Sequence, residues 1–173
     1  AVNDVCFHRS QPALLALGRE DGVVALSDLR RAARGVALTL AGSSEVFSLD
    51  FAPTLEFALL TAAADGGVCL WDLRLTAEPL LALHEHTAAA VRVSWHPSLP
   101  GVFASCGSDR AVVVADCRAG DVLFRHAGHY GAVSDFDWYP HAALGGLSVS
   151  DDNCLQYWEV DLDCLSSNTA FSA

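Results

Sequence analysis

The chain has 173 residues, of which 52% are hydrophobic, and a mean hydropathy of +0.31, a composition that excludes an intrinsically disordered protein. All ten basic residues are arginine and 21 residues are acidic, so the formal net charge is −11. That charge argues against direct nucleic-acid binding, which needs a basic face. No apolar run reaches the ~18 residues that a membrane span requires.

One pattern returns four times along the chain in a fixed register. Aspartates open four similar segments at steps of 44, 44 and 43 residues, at Asp21, Asp65, Asp109 and Asp152. Acids at the ends of these segments and aromatic residues before them keep the same steps: Asp28, Asp72, Asp116 and Glu159, and Phe7, Phe51, Trp95 and Trp138. Three markers in one register predict a tandem array. We place the repeats at about 1–41, 42–85, 86–128 and 129–165, followed by a polar C-terminal tail over 166–173.

Each repeat divides into short apolar segments separated by turn residues, which is typical of strands. The first repeat reads VNDVCFH, LLALGRED, VVALSDLR and VALTL, and the second reads EVFSLDFAP, EFALLTAAAD, GGVCLWDLR and EPLLALHEH. The third reads AVRVSWHP, GVFASCGSD, RAVVVADCR and DVLFRHAGH, whereas the fourth gives three segments, AVSDFDWYP, LGGLSVSDD and NCLQYWEVD. Four short strands per period of about 40–45 residues predict the blades of an all-β propeller.

The repeats resemble those of the WD-repeat family over residues 1 to about 160. Trp71-Asp72 is the dipeptide that defines the family, and Gly128-His129 matches the pair that opens its repeats. The resemblance implies a hydrogen-bonded set in each blade. The fourth repeat has His129, Ser148, Asp152 and Trp158, the third has His86, Ser105 and Asp109, and the second has Thr61, Asp65 and Trp71 without the histidine. A catalytic triad occurs once in a cleft, so a set that recurs at the blade period predicts a buried structural network.

The last repeat is more specific. It reads HAGHYGAVSDFDWYPHAALGGLSVSDDNCLQYWEV and resembles the final repeat of the retinoblastoma-associated, MSI-type histone-binding proteins. The order of the four repeats matches the last four of that family. We therefore expect about four blades of a larger ring, seven-bladed as is usual for WD proteins, whose earlier blades are missing from this chain.

The resemblance implies a non-enzymatic adaptor that binds core histones or other basic protein tails within multisubunit chromatin complexes. It implies a nuclear location, with the cytoplasm as the alternative, and neither a cofactor nor a small-molecule substrate. Members of the family bind histones at the channel mouth and in a side groove. Here only CRAGD stands where the acidic insertion of the groove would fall, and Asn3 replaces a channel-mouth glutamate.

Independently of the resemblance, strand starts and turns of successive blades converge on one rim. We expect a peptide-binding surface there, and its candidate residues are Asn3, Glu45, Phe47, Val91, Ser134, Asp65, Asp109, Arg110, Asp152 and Asn153. Carboxylates can pair with a partner's Arg or Lys, and Phe47 can supply an apolar anchor. The alternative is that the aspartates only cap their turns through backbone amides.

Two other functions stay open at this point. One is a WD-repeat scaffold of another pathway, such as ribosome assembly or peroxisomal import. The other is a metal-dependent hydrolase, for which His84 and His86 could supply ligands although no cysteine or carboxylate cluster completes a site. We expect no metal and interpret these two histidines as solvated loop residues. The sequence does not reveal which histone or which complex is bound.

Overall fold

The computed structural model describes residues 1–30, 38–41, 44–75 and 77–161, and in these ranges every regular element is a β-strand. The first sheet consists of β1 (Val2–Phe7), β2 (Leu14–Arg19), β3 (Val23–Asp28) and β4 (Leu38–Ala41). The second consists of β5 (Val46–Phe51), β6 (Ala58–Ala63), β7 (Val68–Asp72) and β8 (Leu81–Leu83). The third consists of β9 (Ala90–Trp95), β10 (Val102–Gly107), β11 (Val112–Asp116) and β12 (Asp121–His126). The fourth consists of β13 (Val133–Trp138), β14 (Gly145–Ser150) and β15 (Leu155–Glu159).

These four antiparallel sheets confirm the predicted all-β class and its WD-type blades. Each sheet is a meander in which strands adjacent in sequence pair with each other, as short connections allow. The first strands of successive sheets contact each other, β1 with β5, β5 with β9 and β9 with β13, so the blades follow one another in chain order. The number of blades in a closed ring stays a prediction. The polar tail predicted over 166–173 lies outside the described residues, and in the described ranges no helix is long and apolar enough to cross a membrane.

Three apolar clusters fill the spaces between neighbouring blades. The first cluster joins Ala16, Val24 and Leu26 of the first blade to Leu49 and Phe51 of the second. The second and third blades meet through β6 and β7 on one side and β9 and β10 on the other, and the third and fourth blades meet in the same way. Each inner sheet is therefore covered on both faces, which explains why β10 and β11 are buried at every position.

The two outermost faces are exposed at positions that are buried in the other blades. Phe7 is 54% exposed, whereas Phe51, Trp95 and Trp138 at the same repeat position are 1%, 3% and 7% exposed. At the other end Leu155 is 64% exposed, while its counterparts in the first three blades, Val24, Val68 and Val112, are 2%, 3% and 0% exposed. Neither face meets another blade in the described part of the chain. Both have the apolar character of an interblade surface.

The turn between the second and third strands of each blade has a left-handed residue at its second position. Gly22 and Gly66 hold this place with φ of 78° and 85°, and Arg110 and Asn153 hold it in the third and fourth blades with φ of 69° and 61°. Glycine adopts this conformation without steric cost and asparagine tolerates it, but an arginine does so only with strain. The backbone therefore repeats more faithfully than the sequence.

We expect Arg110→Gly to raise the free energy of unfolding by up to about 1 kcal/mol, because the left-handed strain at this position disappears. The Arg110 side chain is exposed and makes no hydrogen bond among the described residues, so little is lost with it. Urea denaturation followed by tryptophan fluorescence measures the change. Ala111→Gly is the control: this neighbour has no positive φ and is 1% exposed, so its replacement should lower stability. A destabilised Arg110→Gly variant would contradict the strain argument.

Candidate functional site: a channel-mouth surface above buried polar networks

The third blade contains a closed polar network between its opening loop and β10. Nδ1 of His86 lies 2.9 Å from Oδ1 of Asp109, and Nε2 lies 2.8 Å from Oγ of Ser105. Arg125 donates to Oδ2 of Asp109 at 2.8 Å, and the amide of Thr87 donates to the same oxygen at 3.3 Å. The side chains of His86 and Asp109 are only 1% and 2% exposed. The buried side chains of His86 and Asp109 are therefore bound by protein groups rather than by solvent, and the arrangement stabilises the blade.

The fourth blade repeats this geometry only in part. Nε2 of His129 lies 2.7 Å from Oγ of Ser148. Nδ1 of His129 lies 3.4 Å from Oδ2 of Asp152 but makes no hydrogen bond, because the angular geometry is poor. The expectation that Trp158 completes the set differs from the structure, since its buried Nε1 has no hydrogen-bond partner in the described part of the chain.

The second blade explains why Trp158 departs from the set. There Nε1 of Trp71 donates to Oγ1 of Thr61 at 3.1 Å. Trp71 pairs across the sheet with Leu59, whereas Trp158 pairs with Gly146. A Cβ built on Gly146 would lie 2.5 Å from Cζ2 of Trp158, so the indole occupies space that Leu59 fills in the second blade. The glycine leaves room for the Trp158 ring, whose Nε1 does not bond Ser148.

The four turn aspartates cap their turns through backbone amides, which was the alternative to a binding role for these residues. Oδ1 of each accepts the amide two residues later, at 3.3 Å for Asp21, 2.9 Å for Asp65, 3.4 Å for Asp109 and 2.8 Å for Asp152. Asp152 also accepts the Tyr130 amide at 2.8 Å, and these backbone donors lower its pKa. Burial acts to raise the pKa of Asp109, but the donors from His86, Thr87 and Arg125 outweigh it and the pKa is lowered.

Burial of Asp109 changes its predicted role at the rim. Its side chain is 2% exposed and both oxygens already accept hydrogen bonds, so it has no free face for a partner. Asp152 is 11% exposed and equally occupied. We therefore remove these two aspartates from the binding surface. Arg110 and Asn153 are exposed at their turns, and Ser134 donates to the Val149 carbonyl at 3.4 Å.

Other candidates from the sequence do come together, at the first strands of blades 1 to 3. Val2, Asn3, Phe47, Ala89, Val91 and Ser108 line an open cavity of about 570 Å³. Nδ2 of Asn3 donates to Oε1 of Glu45 at 2.9 Å and to the Val46 carbonyl at 3.0 Å, which fixes the Glu45 carboxylate beside the cavity. We call Asn3, Glu45, Phe47 and Val91 the channel-mouth surface. It combines one oriented carboxylate with an apolar floor.

Asp50 is a buried acid that the sequence analysis did not single out. It is 7% exposed, and Oδ2 accepts the Trp95 amide at 2.8 Å and the Ser94 hydroxyl at 3.3 Å, while Arg9 donates to Oδ1 at 3.2 Å. The carboxylate thus joins three blades. Burial raises its pKa, and the donors from Trp95, Arg9 and Ser94 oppose this rise. Its hydrogen-bond partners hold neighbouring blades together, so we interpret Asp50 as a structural residue.

The histidines considered as metal ligands have other surroundings. His86 is 5% exposed within its network, so the interpretation of it as a solvated loop residue is wrong, whereas His84 is exposed. Among the described residues no three His, Cys, Asp or Glu side chains lie close enough to hold a metal ion. His8 and His96 are also buried, and Nδ1 of each accepts backbone amides of the following turn. Burial lowers the pKa of His96.

The four sheets and their recurring networks match the blades of a WD-repeat β-propeller. The sequence model of the family described as "WD domain, G-beta repeat" matches residues 36–72. "Histone-binding protein MSI1" of Saccharomyces cerevisiae is 29% identical over 161 residues, covering 92% of this chain and 38% of that protein. "RbAp48-related WD40 repeat-containing protein prw1" of Schizosaccharomyces pombe is 30% identical over 174 residues, with shares of 91% and 40%.

These findings confirm the resemblance to WD-repeat histone-binding proteins of the Msi1 and RbAp48 type. A third relative belongs to a different assembly: the human "GATOR2 complex protein WDR24" is 29% identical over 163 residues, covering 92% of this chain and 20% of that protein. The chain spans about two fifths of the length of the two yeast proteins. The partners that these names mention are partners of the relatives themselves.

Proposed function

We propose that this chain is part of a non-enzymatic, nuclear adaptor that binds basic tails of core histones and works within multisubunit chromatin complexes. The observation that carries the proposal is the channel-mouth surface, where the Asn3 amide holds the Glu45 carboxylate beside an apolar cavity lined by Phe47 and Val91. An Arg or Lys side chain fits this pairing, since its charged head can bind the carboxylate while its methylene stem covers the apolar floor.

The charge of the chain favours the same partner. The formal net charge of −11 attracts a basic tail and increases its rate of encounter. The names of the two yeast relatives, one a histone-binding protein and the other RbAp48-related, agree with a histone tail as this partner. The side groove of that family is not included in the proposal, because only the five residues CRAGD occupy the place of its acidic insertion.

A core-histone tail peptide is expected to bind the chain in solution, and Glu45→Gln should weaken binding by about tenfold at low ionic strength through loss of a charge-assisted hydrogen bond. Phe47→Ala should weaken it by a similar factor through loss of the apolar anchor. Binding of the unmodified protein should fall as salt rises, because the contact is ionic, and the Glu45→Gln variant should show a shallower salt dependence. Fluorescence anisotropy with a labelled peptide measures all three.

Glu78→Gln is the matched control, because Glu78 is exposed and lies away from the channel-mouth surface. It removes the same charge and should leave the affinity unchanged. Equal losses in the Glu45 and Glu78 variants would mean that only the overall charge attracts the peptide. If the unmodified protein does not bind the peptide at low ionic strength, the histone-tail proposal is contradicted.

The second candidate is a scaffold of another pathway, and the similarity to WDR24 at 29% identity is the observation that favours it. Ribosome assembly and peroxisomal import are the pathways considered from the sequence. Such a scaffold would not discriminate in favour of a basic tail. Retention of an acidic peptide of equal length with the same affinity as the histone peptide would support this second candidate.

A further inference from the structure

The first and fourth blades each have one apolar sheet face that meets no other blade in the described part of the chain. On β1 of the first blade, Val5 and Phe7 are both 54% exposed. On β15 of the fourth blade, Leu155 and Tyr157 are 64% and 49% exposed. Their counterparts in the other three blades are each at most 7% exposed. We call these two surfaces the end faces.

The joint between the second and third blades shows what such faces bind. Val93 and Trp95 of β9 lie in a buried apolar cluster at this joint. Across from them the cluster contains Leu60 and Ala62 of β6. Oδ2 of Asp50, on β5, accepts the Trp95 amide at 2.8 Å. One blade thus supplies an apolar wall and a carboxylate, and the first strand of the next blade supplies apolar side chains and an amide.

The end face of the fourth blade has the same wall and carboxylate without a strand to cover them. It contains an open cavity of about 140 Å³, which is lined by residues of β13 and β14: Asp135, Phe136, Asp137, Leu147 and Val149. Of these, Asp137, Leu147 and Val149 hold the repeat positions of the acid and the two wall residues of the second blade. Oδ1 of Asp137 accepts the Trp138 amide at 2.9 Å, and Oδ2 has no bonding partner in the described ranges. The cavity therefore offers a free acceptor beside an apolar wall.

The end face of the first blade has the complementary strand. Val5 and Phe7 hold the two repeat positions through which β9 packs against the second blade. The His8 amide donates to the Leu14 carbonyl of β2 at 2.9 Å. Because the backbone groups of alternate strand residues point to opposite sides, the Phe7 amide points away from β2. It is therefore oriented to donate to a neighbouring blade, as the Trp95 amide does.

The side chains of the two end faces also differ from the inner joint in opposite directions. Tyr157 is larger than Leu70, which holds its position in the second blade, whereas Phe7 is smaller than Trp95, which holds its position in the third. Opposite changes in volume across a joint keep it filled without strain. The two end faces are thus matched to each other in size as well as in hydrogen bonding.

We propose that two copies of this chain associate head to tail, with β1 of one copy covering the cavity on the fourth blade of the other. The two end faces belong to one chain and do not meet within it, so a second copy is what brings them together. In this joint Asp137 accepts the amide of Phe7 from the other copy. Two such joints close a ring of eight blades, within the ~4–8 blades of known propellers. The inference does not rest on the histone-tail proposal.

Sedimentation equilibrium of the full chain measures the mass of the particle over a range of protein concentrations. We expect a particle of two copies. Its association should strengthen as salt rises, because each copy carries a formal net charge of −11 and screening weakens their repulsion. A monomer at every concentration would overturn the proposal and assign the end faces to blades outside this chain. A series of species larger than the dimer would overturn the closed pair.

Two variants on opposite end faces test the head-to-tail arrangement. Phe7→Asp and Leu155→Asp should each be monomeric, because each places an unpaired carboxylate in both joints of the dimer. Both side chains are exposed and lie outside the three interblade clusters, so the variants should keep their fold. Mixing the two variants should restore dimers, because one joint then combines two unmodified faces. A mixture that stays monomeric, or loss of the dimer in only one variant, would contradict this arrangement.

Leu75→Asp is the control for these variants, because Leu75 is 63% exposed but belongs to the second blade, and it should leave the dimer intact. Asp137→Ala tests the hydrogen bond between the copies. It should raise the dissociation constant at least about tenfold, because the buried Phe7 amide loses its acceptor. Asp151→Ala removes the same charge from an exposed position of the same blade and should not weaken the dimer. Equal dissociation constants for the Asp137 and Asp151 variants would overturn the role of Asp137 in the joint.

Discussion

Replacing Asp50 with alanine is expected to lower the free energy of unfolding by about 2–4 kcal/mol, one of the two largest effects that we predict for a single residue. The substitution leaves the buried amide of Trp95 without an acceptor and removes the bond from the Ser94 hydroxyl. Both donors belong to the next blade, so an interblade contact is lost as well. The ion pair to Arg9 adds little to this figure, because the Arg9 side chain is 58% exposed.

Asp50→Asn is the matched control. Its Oδ1 still accepts the Trp95 amide, and exposed Arg9 can turn away from the new amide group, so we expect a loss of only about 1 kcal/mol or less. Urea denaturation of the three proteins at pH 7, followed by tryptophan fluorescence, gives the comparison. Equal losses for Ala and Asn would show that the carboxylate charge, rather than the acceptor for Trp95, stabilises the interface.

The pH dependence of the Asp50 contribution has an unusual sign for an acid. Burial raises its pKa above the ordinary value of 3.8, so in the window above 3.8 the folded state binds more protons than the unfolded state. The contribution of Asp50 to stability is therefore largest below that window and decreases as pH rises through the folded pKa. The Asn variant, which does not titrate, should lack this decrease.

The repeat period made the blades and their turns predictable, because both depend on local sequence. An aspartate that caps the amide two residues later needs only its own turn, so Asp21, Asp65, Asp109 and Asp152 give the same signal and adopt the same geometry. The left-handed residue that follows each aspartate was not predicted. Arg110 is a poor residue for that conformation, and the backbone of the repeat fixes it there.

Contacts between blades were harder to predict. Asp50 receives its donors from Arg9 and Trp95, which lie on two different blades, and Cys6, Ser94 and Asp137 occupy its position in the other repeats. Such a position carries no repeated marker, so the period gives no indication of its role. The buried carboxylate depends on residues that are distant in sequence and on no local preference.

The indole of Trp158 was misplaced for a related reason. Its sequence match to Trp71 is complete, but the ring position is decided by the residue opposite it on the neighbouring strand. That residue is Leu59 in the second blade and Gly146 in the fourth. A motif of single residues does not contain this cross-strand information. The same limit applies to Asp109. Its Oδ2 is occupied by a hydrogen bond from Arg125, which lies on a strand that the motif does not include.

Asp109→Ala is expected to lower the free energy of unfolding by about 2–4 kcal/mol, because it leaves buried His86 and the Thr87 amide without their acceptor. Asp21→Ala is the control at the same turn position: the Asp21 side chain is 49% exposed and caps one amide at 3.3 Å, so its removal should cost about 1 kcal/mol or less. The urea midpoints of the two variants at pH 7 test the difference. Similar losses would mean that the turn cap, and not the histidine network, accounts for the effect.

Acid should remove the contribution of Asp109, in contrast to that of Asp50. The donors around Asp109 lower its pKa below 3.8, so its stabilisation is fully present above that value and is lost as pH falls through the folded pKa. The stability difference between the unmodified protein and Asp109→Asn should therefore be large at neutral pH and decrease below pH 3.8. A difference that stays constant to lower pH would show that the carboxylate charge contributes nothing to the network. The opposite slopes of the two acids follow from their partners, because Asp109 gains enough donors to offset its burial and Asp50 does not.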